Sequence, residues 1–514
     1  MLVKTYGSAV EGIHATIITV EVNLSLGGSP SFFMVGLPDN AVREGRERIK
    51  TAFQNNGYRL PRKAITVNFA PADIMKVGSA YDLTLALGIL AAEGEIPDAQ
   101  MGEYLIMGEL SLDGTLRPIK GALPIAVEAR KRGFKGFMLP KQNAAEAAIV
   151  NQLDVIPVET LHEAAGFFKG EVPIEPLVRD TRELFFDAQQ DFAFDFADVK
   201  GQENVKRALE VAAAGGHNAI LIGPPGAGKT MLAKRMPTIL PPLTLHEALE
   251  TTKIHSVAGT LPEDSALVAH RPFRNPHHTT SDVALVGGGG NPQPGEISLA
   301  HNGILFLDEL PEFKRPVLEV LRQPLEERRI TVSRAKITVE YPASFMLVAS
   351  MNPCPCGYYN HPDKECVCGP QQVQRYLNKI SGPLMDRIDL HVEVTPVPFE
   401  ELASREPGEA SADIRARVQA ARMIQLERFK DRPGLYANAM MPSNLVRQIC
   451  AIDKFGENLL KIAMKKLDLS ARAFDRILKV ARTIADLAGE EAIKPDHIAE
   501  AIQYRSLDRE TWAG

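Results

Sequence analysis

A chain of 514 residues with 45% hydrophobic content has the apolar mass for more than one core, and its length points to about three domains. Its formal net charge of -6 excludes a uniformly basic surface, so any nucleic-acid contact must be local. No apolar run is long enough to span a bilayer and no charged-then-apolar leader opens the chain, so a cytoplasmic location is expected, and its five cysteines argue against a disulfide framework.

Residues 20–26 and 65–69 alternate apolar and polar side chains, which predicts strands with one buried face. Residues 81–92 and 122–131 carry a helical pattern, the second stopping at Gly133. An α+β domain over residues 1–170 follows. Lys76-Val77-Gly78-Ser79-Ala80-Tyr81-Asp82-Leu83 and Gly108-Glu109-Leu110-Ser111-Leu112-Asp113-Gly114, continued by Pro118-Ile119-Lys120-Gly121, resemble the proteolytic domain of Lon. That resemblance implies a fold shared with a small-subunit ribosomal protein and with the tail of RadA. Lon-type hydrolysis uses a serine activated by a lysine. Those two positions fall here on Ala80 and Leu123, with Ser79 and Lys120 nearby, so a non-proteolytic scaffold is expected.

Residues 171–197 mix Pro173, Pro176 and acidic residues with Phe185, Phe186, Phe192, Phe194 and Phe196, the composition of a linker that docks through its aromatics. Asp198-Val199-Lys200-Gly201-Gln202 opens an ATPase core expected over residues 198–398, at the place where many related ATPases cover adenine. The apolar run Ala219-Ile220-Leu221-Ile222 leads into Gly223-Pro224-Pro225-Gly226-Ala227-Gly228-Lys229-Thr230 and then a helical segment. Strand, glycine-rich turn and helix in this order make a P-loop, whose N–H groups and helix terminus wrap a phosphate chain. Lys229 then bridges the β- and γ-phosphates of ATP, and the Thr230 hydroxyl takes one position on Mg2+.

A long insertion separates the two halves of the ATP site. It contains Arg271-Pro272-Phe273-Arg274-Asn275-Pro276-His277-His278-Thr279-Thr280 and the run Gly287-Gly288-Gly289-Gly290. Adjacent residues of a strand face opposite ways, so the histidine pair is expected to serve a loop rather than a metal. Residues 294–301 and the strand that follows resemble the magnesium-chelatase-like branch of the AAA+ ATPases. In Gly303-Ile304-Leu305-Phe306-Leu307-Asp308-Glu309 a buried parallel strand delivers Asp308 to Mg2+ and Glu309 to the attacking water.

A helix is expected over residues 317–323. Residues 329–339 read as two β arms around a basic tip, resembling the pre-sensor-1 hairpin that points into the pore of ring-shaped relatives. Arg334 and Lys336 would there grip successive DNA phosphates. A buried strand over 345–350 leads to Asn352, which matches sensor 1 and would help place the water. Cys354, Cys356, Cys366 and Cys368 form two close pairs suited to a structural Zn2+, with His361 as a substitute ligand and reduced, metal-free thiols as the alternative. Cys450 stands alone and reads as core.

Leu384-Met385-Asp386-Arg387-Ile388-Asp389 resembles the arginine-finger segment of this branch, which implies that Arg387 reaches the γ-phosphate held by a neighbouring subunit. A local salt bridge to Asp386 or Asp389 is the competing explanation. The helical spacing of Ile414, Val418, Ala421 and Ile424, and of Phe474, Ile477, Leu478, Ala481, Ile484 and Ala485, predicts a helical lid over 399–514. Arg472, Arg476 and Lys479 lie opposite the second stripe. Ser470-Ala471-Arg472 resembles sensor 2, which assigns Arg472 to the γ-phosphate with Arg476 as its substitute.

Lon-like domain, chelatase-like core and helical lid, in that order, resemble the ComM (YifB) family of bacteria. The resemblance implies a homo-hexameric ring that hydrolyses ATP with Mg2+ to drive branch migration on single-stranded, forked or four-way-junction DNA. It implies a part in strand integration during natural transformation, alongside recombination proteins. A protein-remodelling or metal-inserting motor of the chelatase type is the rival reading, and Ala80 and Leu123 disfavour a peptidase.

Overall fold

The computed structural model describes the chain except residues 26–29, 182–184, 186–191, 263–265, 334–337, 360, 362, 399, 402–406, 433, 468 and 506–514. The amino-terminal region is built on a hairpin of two long strands, β1 (Leu2–Glu11) and β2 (His14–Ser25). Val20, Val22 and Leu24 of β2 are buried while the residues between them are partly exposed, so the alternation predicted over 20–26 is the second half of this strand. Its first half lacks a clean alternation, which is why the start was not visible in the pattern.

The region continues through β3 (Ser31–Val35), α1 (Asn40–Asn55), β4 (Ala64–Ala70), α2 (Asp82–Glu93), β5 (Tyr104–Ile106), α3 (Ala122–Lys131), β6 (Gly136–Pro140) and β7 (Asp154–Val158). They complete a mixed seven-stranded sheet in the order β3-β4-β2-β1-β5-β6-β7. Residues 82–92 of α2 are all buried, so this helix is apolar nearly all round rather than amphipathic.

The exception within α2 is Asp82, whose carboxylate is gripped by Arg48 through Nε at 2.6 Å and Nη2 at 3.0 Å. Burial pushes the Asp82 carboxyl up to about 6, against the opposing pull of the guanidinium. Ionisation therefore works against folding: the penalty is absent below the ordinary value of 3.8 and complete above about 6. Arg48→Ala strands that charge and is expected to cost about 3–5 kcal/mol near neutrality. Urea unfolding followed at pH 7.5 and at pH 4 checks this, with the loss shrinking at the lower pH as Asp82 takes up a proton.

The central region holds α4 (Glu203–Gly215), β8 (Ala219–Ile222), α5 (Lys229–Ile239), α6 (Leu245–Ala258), β9 (Phe273–Arg274), β10 (Ile304–Leu307), the hairpin strands β11 (Arg329–Ser333) and β12 (Thr338–Pro342), then β13 (Met346–Met351) and β14 (Leu390–Glu393). Five of these strands form a parallel sheet in the order β9-β10-β13-β8-β14. Every residue of β8, β10 and β13 is buried, which explains their continuous apolar runs.

The helix expected over 317–323 is instead two short helices, Arg315–Glu319 and Arg322–Glu327. Pro324 has no N–H to give and its ring would collide with the carbonyl of Val320, so one continuous helix cannot pass through it.

The carboxy-terminal region is helical, with α7 (Ser411–Phe429), α8 (Lys454–Lys466), α9 (Ala471–Leu487) and α10 (Pro495–Gln503). Ile477, Leu478, Ala481, Ile484 and Ala485 of α9 are buried, and α7 and α9 pack on α4 of the ATPase core. The face opposite that stripe is not simply solvated. Arg476 donates to Asp389 at 2.7 Å and Lys479 to the Ala439 carbonyl at 3.1 Å.

The amino-terminal and central regions share their apolar interiors. Leu243, Ala248 and Leu267 are buried in the amino-terminal core, while Ile13 from the β1–β2 turn is buried in the core beneath β10 and β13. The backbone N–H of Gly121 also donates to Ser256 O at 3.1 Å, tying α3 to the end of α6. In the connector Phe185 is buried in the amino-terminal core and Phe196 in the central one. The ring of Phe192 lies 4.9 Å from that of His270, and the Phe194 ring lies beneath the Arg235 guanidinium at 5.4 Å. Phe186 is outside the described residues. Among those described, no helix is long and apolar enough to cross a membrane.

Candidate active site

A parallel sheet gathers the C-terminal ends of its strands on one edge, and the groups expected to handle ATP meet there. β8 runs into the P-loop, where the backbone N–H of Gly223 is held by Met351 O at 3.2 Å, at the end of β13. Gly226 and Gly228 take φ of 80° and 86°, the left-handed region that lets the loop turn back onto the start of α5. The first turn of α5 has N–H groups without intrahelical acceptors, the feature that receives phosphate.

Lys229 is buried, and its ammonium donates to Gly223 O at 2.6 Å, Pro224 O at 2.9 Å and Asn352 Oδ1 at 3.1 Å. Burial pulls it below its ordinary basicity, and Asp308 and Glu309 pull the other way. Thr230 Oγ1 donates to Asp308 Oδ2 at 2.7 Å, so the two groups expected around Mg2+ already touch. A hydroxyl and a carboxylate beside a phosphate cradle are hard oxygen donors, the set that suits this ion.

Ser350 was not singled out by its sequence, although it is a polar residue in an otherwise apolar strand. It is fully buried, its hydroxyl donates to Asp308 Oδ1, and it accepts the Glu309 N–H at 3.3 Å. Glu309 itself takes φ of 53° and ψ of 51°, an uncommon conformation for a residue with a Cβ, and leaves its carboxylate exposed. The loop that positions it is therefore fastened by β13.

The sequence offers Gln202 only as part of an adenine cover. Its Nε2 donates to Ala227 O at 2.8 Å and Thr395 O at 3.1 Å, bracing the P-loop against the segment after β14. Beside it opens a cavity of about 1050 Å³ lined by Lys200, Gly201, Gln202, Thr395, Pro396 and Tyr504 among others.

His277 and His278 lie in a turn rather than a strand, and their rings face each other with centroids 4.1 Å apart. The expected opposite-facing geometry does not hold, because the alternation rule applies only to extended pairs. His277 Nδ1 is 2.9 Å from Thr279 Oγ1, and His278 Nδ1 is 3.9 Å from Glu309 Oε2.

Among the described residues, the one group of three or more side chains able to surround an ion is Cys354, Cys356, Cys366 and Cys368, whose sulfurs all lie within 4.8 Å of one another. Cys354 is 3.7 Å and Cys356 3.6 Å from Cys366, and Cys354 is 3.3 Å from Cys356. Zn–S bonds of about 2.3 Å require tetrahedral S···S edges of about 3.8 Å, so these residues fit a zinc ion after small adjustments. Cys450 is buried in the core shared with the lid, as expected.

The arginines are elsewhere. Asn218, which immediately precedes β8, donates from Nδ2 to Arg387 O at 3.0 Å, placing Arg387 at the end of the strand away from the P-loop. Its guanidinium is buried and pairs with Glu326 and Pro383 O, with neither Asp386 nor Asp389 as a partner. Asp389 is taken by Arg476 at 2.7 Å and His217 at 3.2 Å. Burial alone would raise the Asp389 carboxyl, but Arg476 and His217 outweigh it and hold the group well below the carboxylate range. Arg472 is exposed one turn before Arg476 and contributes, with Arg476 and Arg322, to a positive field around Arg387.

The hairpin β11–β12 pairs in register from Arg329 with Pro342 to Ser333 with Thr338, and it buries Ile330, Val332, Val339 and Tyr341 against the central core. Arg334 and Lys336, expected at a basic tip, lie outside the described residues. In the amino-terminal region Leu123 is fully buried, and Ser79 donates its hydroxyl to Glu109.

Sequence models of three families match in succession along the chain. They are "Subunit ChlI of Mg-chelatase" over residues 20–143, "Magnesium chelatase, subunit ChlI" over 195–402 and "Magnesium chelatase, subunit ChlI C-terminal" over 408–505. Competence protein ComM of Haemophilus influenzae is 43% identical over 513 residues, covering 99% of this chain and 98% of ComM. YifB of Escherichia coli is 44% identical over 504 residues, 98% of this chain and 96% of YifB. Lon protease 2 of Bacillus subtilis shows a weaker likeness, 31% identity over 159 residues, or 28% of this chain and 27% of that protease. A likeness that runs the full length of both partners, over a site built to hold ATP, makes this chain a member of the ComM/YifB family, AAA+ ATPases of the magnesium-chelatase type.

Proposed function

We propose that the protein is a ring-forming ATPase that drives branch migration of DNA, in the manner its likeness to a competence protein suggests. The full-length identity to ComM carries the DNA reading. Within one protomer, Lys229 holds the β- and γ-phosphates, Glu309 accepts a proton from the attacking water, and Asn352 orients that water. Thr230 and Asp308 would hold Mg2+, which would supply neutralisation of the charge on the phosphate oxygens. Arg387, at the other end of β8 from the P-loop, and Arg472, whose charge Arg387 feels, would serve the nucleotide of an adjoining copy. Arg387 would leave Glu326 for the γ-phosphate, and Arg472 would add to the same field. A homo-hexamer is the assembly that closes such head-to-tail contacts.

Arg334 and Lys336 would meet the DNA backbone at the pore, a contact that ignores sequence and weakens with salt. Branch migration of a synthetic four-way junction tests the reading, with ATP turnover measured with and without DNA. The expected result is turnover stimulated by DNA and, for Arg334→Ala/Lys336→Ala, loss of both stimulation and migration with DNA-free turnover retained. DNA-independent turnover and an inert junction would instead favour the chelatase-type motor, the reading supported by the three ChlI matches.

A further inference from the structure

The cysteine centre adjoins the nucleotide loop. Residues 351–357 touch the P-loop at three points spread along it. Met351 O receives the Gly223 N–H at 3.2 Å, and Asn352 Oδ1 receives Lys229 Nζ at 3.1 Å. The third contact is the turn between the first two cysteines and the loop, closed by Gly357 N–H to Cys354 O at 3.0 Å. Gly357 takes φ of 84°, and a Cβ built there would lie 2.5 Å from Cδ and 2.7 Å from Cγ of Pro225. Pro225 thus rests directly on the backbone of the cysteine turn, with no room for a side chain between them.

Cys354 is fully buried and lies two residues after Asn352, too short a tether for the turn to shift without moving the asparagine. Cys366 and Cys368 reach the same point from a separate segment, so an ion bound by all four cysteines would lock the turn in place.

We propose that the cysteine centre is a clamp on the nucleotide site: with zinc bound, it holds Gly357 against Pro225 and Asn352 against Lys229, and so sets the affinity for nucleotide. The proposal rests on reading the cysteines as a zinc site. Gly357 and Pro225 act as positioning residues, through the shape of the loop. If the two sites are coupled in this way, the coupling is reciprocal: zinc tightens nucleotide binding, and nucleotide slows the loss of zinc.

The test uses the full chain and a fluorescent ADP analogue carrying an N-methylanthraniloyl group. Zinc content is measured first, and about one equivalent per chain is expected. Zinc-stripped protein should bind the analogue about tenfold more weakly than loaded protein, and unlabelled ADP should slow zinc release to a chromogenic chelator. Gly357→Ala should keep its zinc yet lose about tenfold in affinity, and adding Pro225→Ala should recover most of that loss by clearing the collision. Recovery separates a steric clamp from simple backbone strain at Gly357, which Pro225→Ala would leave untouched. Less than about half an equivalent of zinc overturns the metal assignment itself. Equal affinity of loaded and stripped protein, or a double variant no better than Gly357→Ala, overturns the clamp while leaving the zinc site standing.

Discussion

Arg387→Ala is expected to lower ATP turnover about 10³–10⁵-fold, the effect of removing an arginine finger, and mixing that variant with Glu309→Gln should bring turnover back. The reason is geometric. Thr230 and Asp308 meet at the C-terminal edge of the sheet, whereas Arg387 is fastened through Asn218 to the start of β8. Within one protomer Arg387 and the nucleotide loop therefore lie at opposite ends of β8. In a mixed ring, some sites combine Glu309 from an Arg387→Ala subunit with Arg387 from a Glu309→Gln subunit, and these contain every reacting group. Random assembly of equal amounts makes about one interface in four of this kind. The loss of Glu326's partner should be mild, because that carboxylate is exposed and can be hydrated. Turnover by either variant alone and by the mixture is the measurement. A mixture no more active than its parts would rule out a shared site.

Glu309→Gln carries the second large effect, a fall in turnover of about 10²–10⁴-fold with nucleotide affinity retained. Glutamine keeps the shape of the side chain and loses only the ability to take a proton from water. The backbone hydrogen bond from residue 309 to Ser350 Oγ at 3.3 Å does not involve the carboxylate, so the loop geometry should persist. Asp308→Asn makes the contrasting case: it weakens the oxygen pair formed with Thr230 and should reduce the affinity for nucleotide with Mg2+. Equilibrium binding set beside single-turnover hydrolysis separates the two. A Glu309→Gln protein that binds nucleotide poorly would contradict the assignment of Glu309 to the water.

Most of the nucleotide cradle was legible in the sequence because it is local. Gly223 to Thr230 form one turn whose backbone geometry follows from glycine placement, and Asp308 and Glu309 follow the apolar strand that delivers them. The cysteine pairs were legible for the same reason. What local pattern could not give was the set of contacts between distant segments. Ser350 looked like the end of a buried strand until β13 was seen to lie beside β10, with its hydroxyl on Asp308. Gln202 braces Ala227 and Thr395, the latter nearly two hundred residues away. The aspartates flanking Arg387 offer the competing local salt bridge, yet Asp389 is committed to His217 and Arg476, and Glu326 takes the guanidinium. Strand geometry would send the paired histidines to opposite sides, whereas their turn brings the rings together at a tilt. In each case packing named the partner.

The shared interior of the first two regions has a consequence for dissecting the molecule. Leu243, Ala248 and Leu267 belong to the ATPase half by sequence but find cover in the amino-terminal core, and Ile13 makes the reverse trade. Cutting the chain at the connector would leave greasy scars on both fragments, and each would tend to clump or melt early. Loss of activity in such a fragment would therefore report a wounded motor, and not the work its missing half performs.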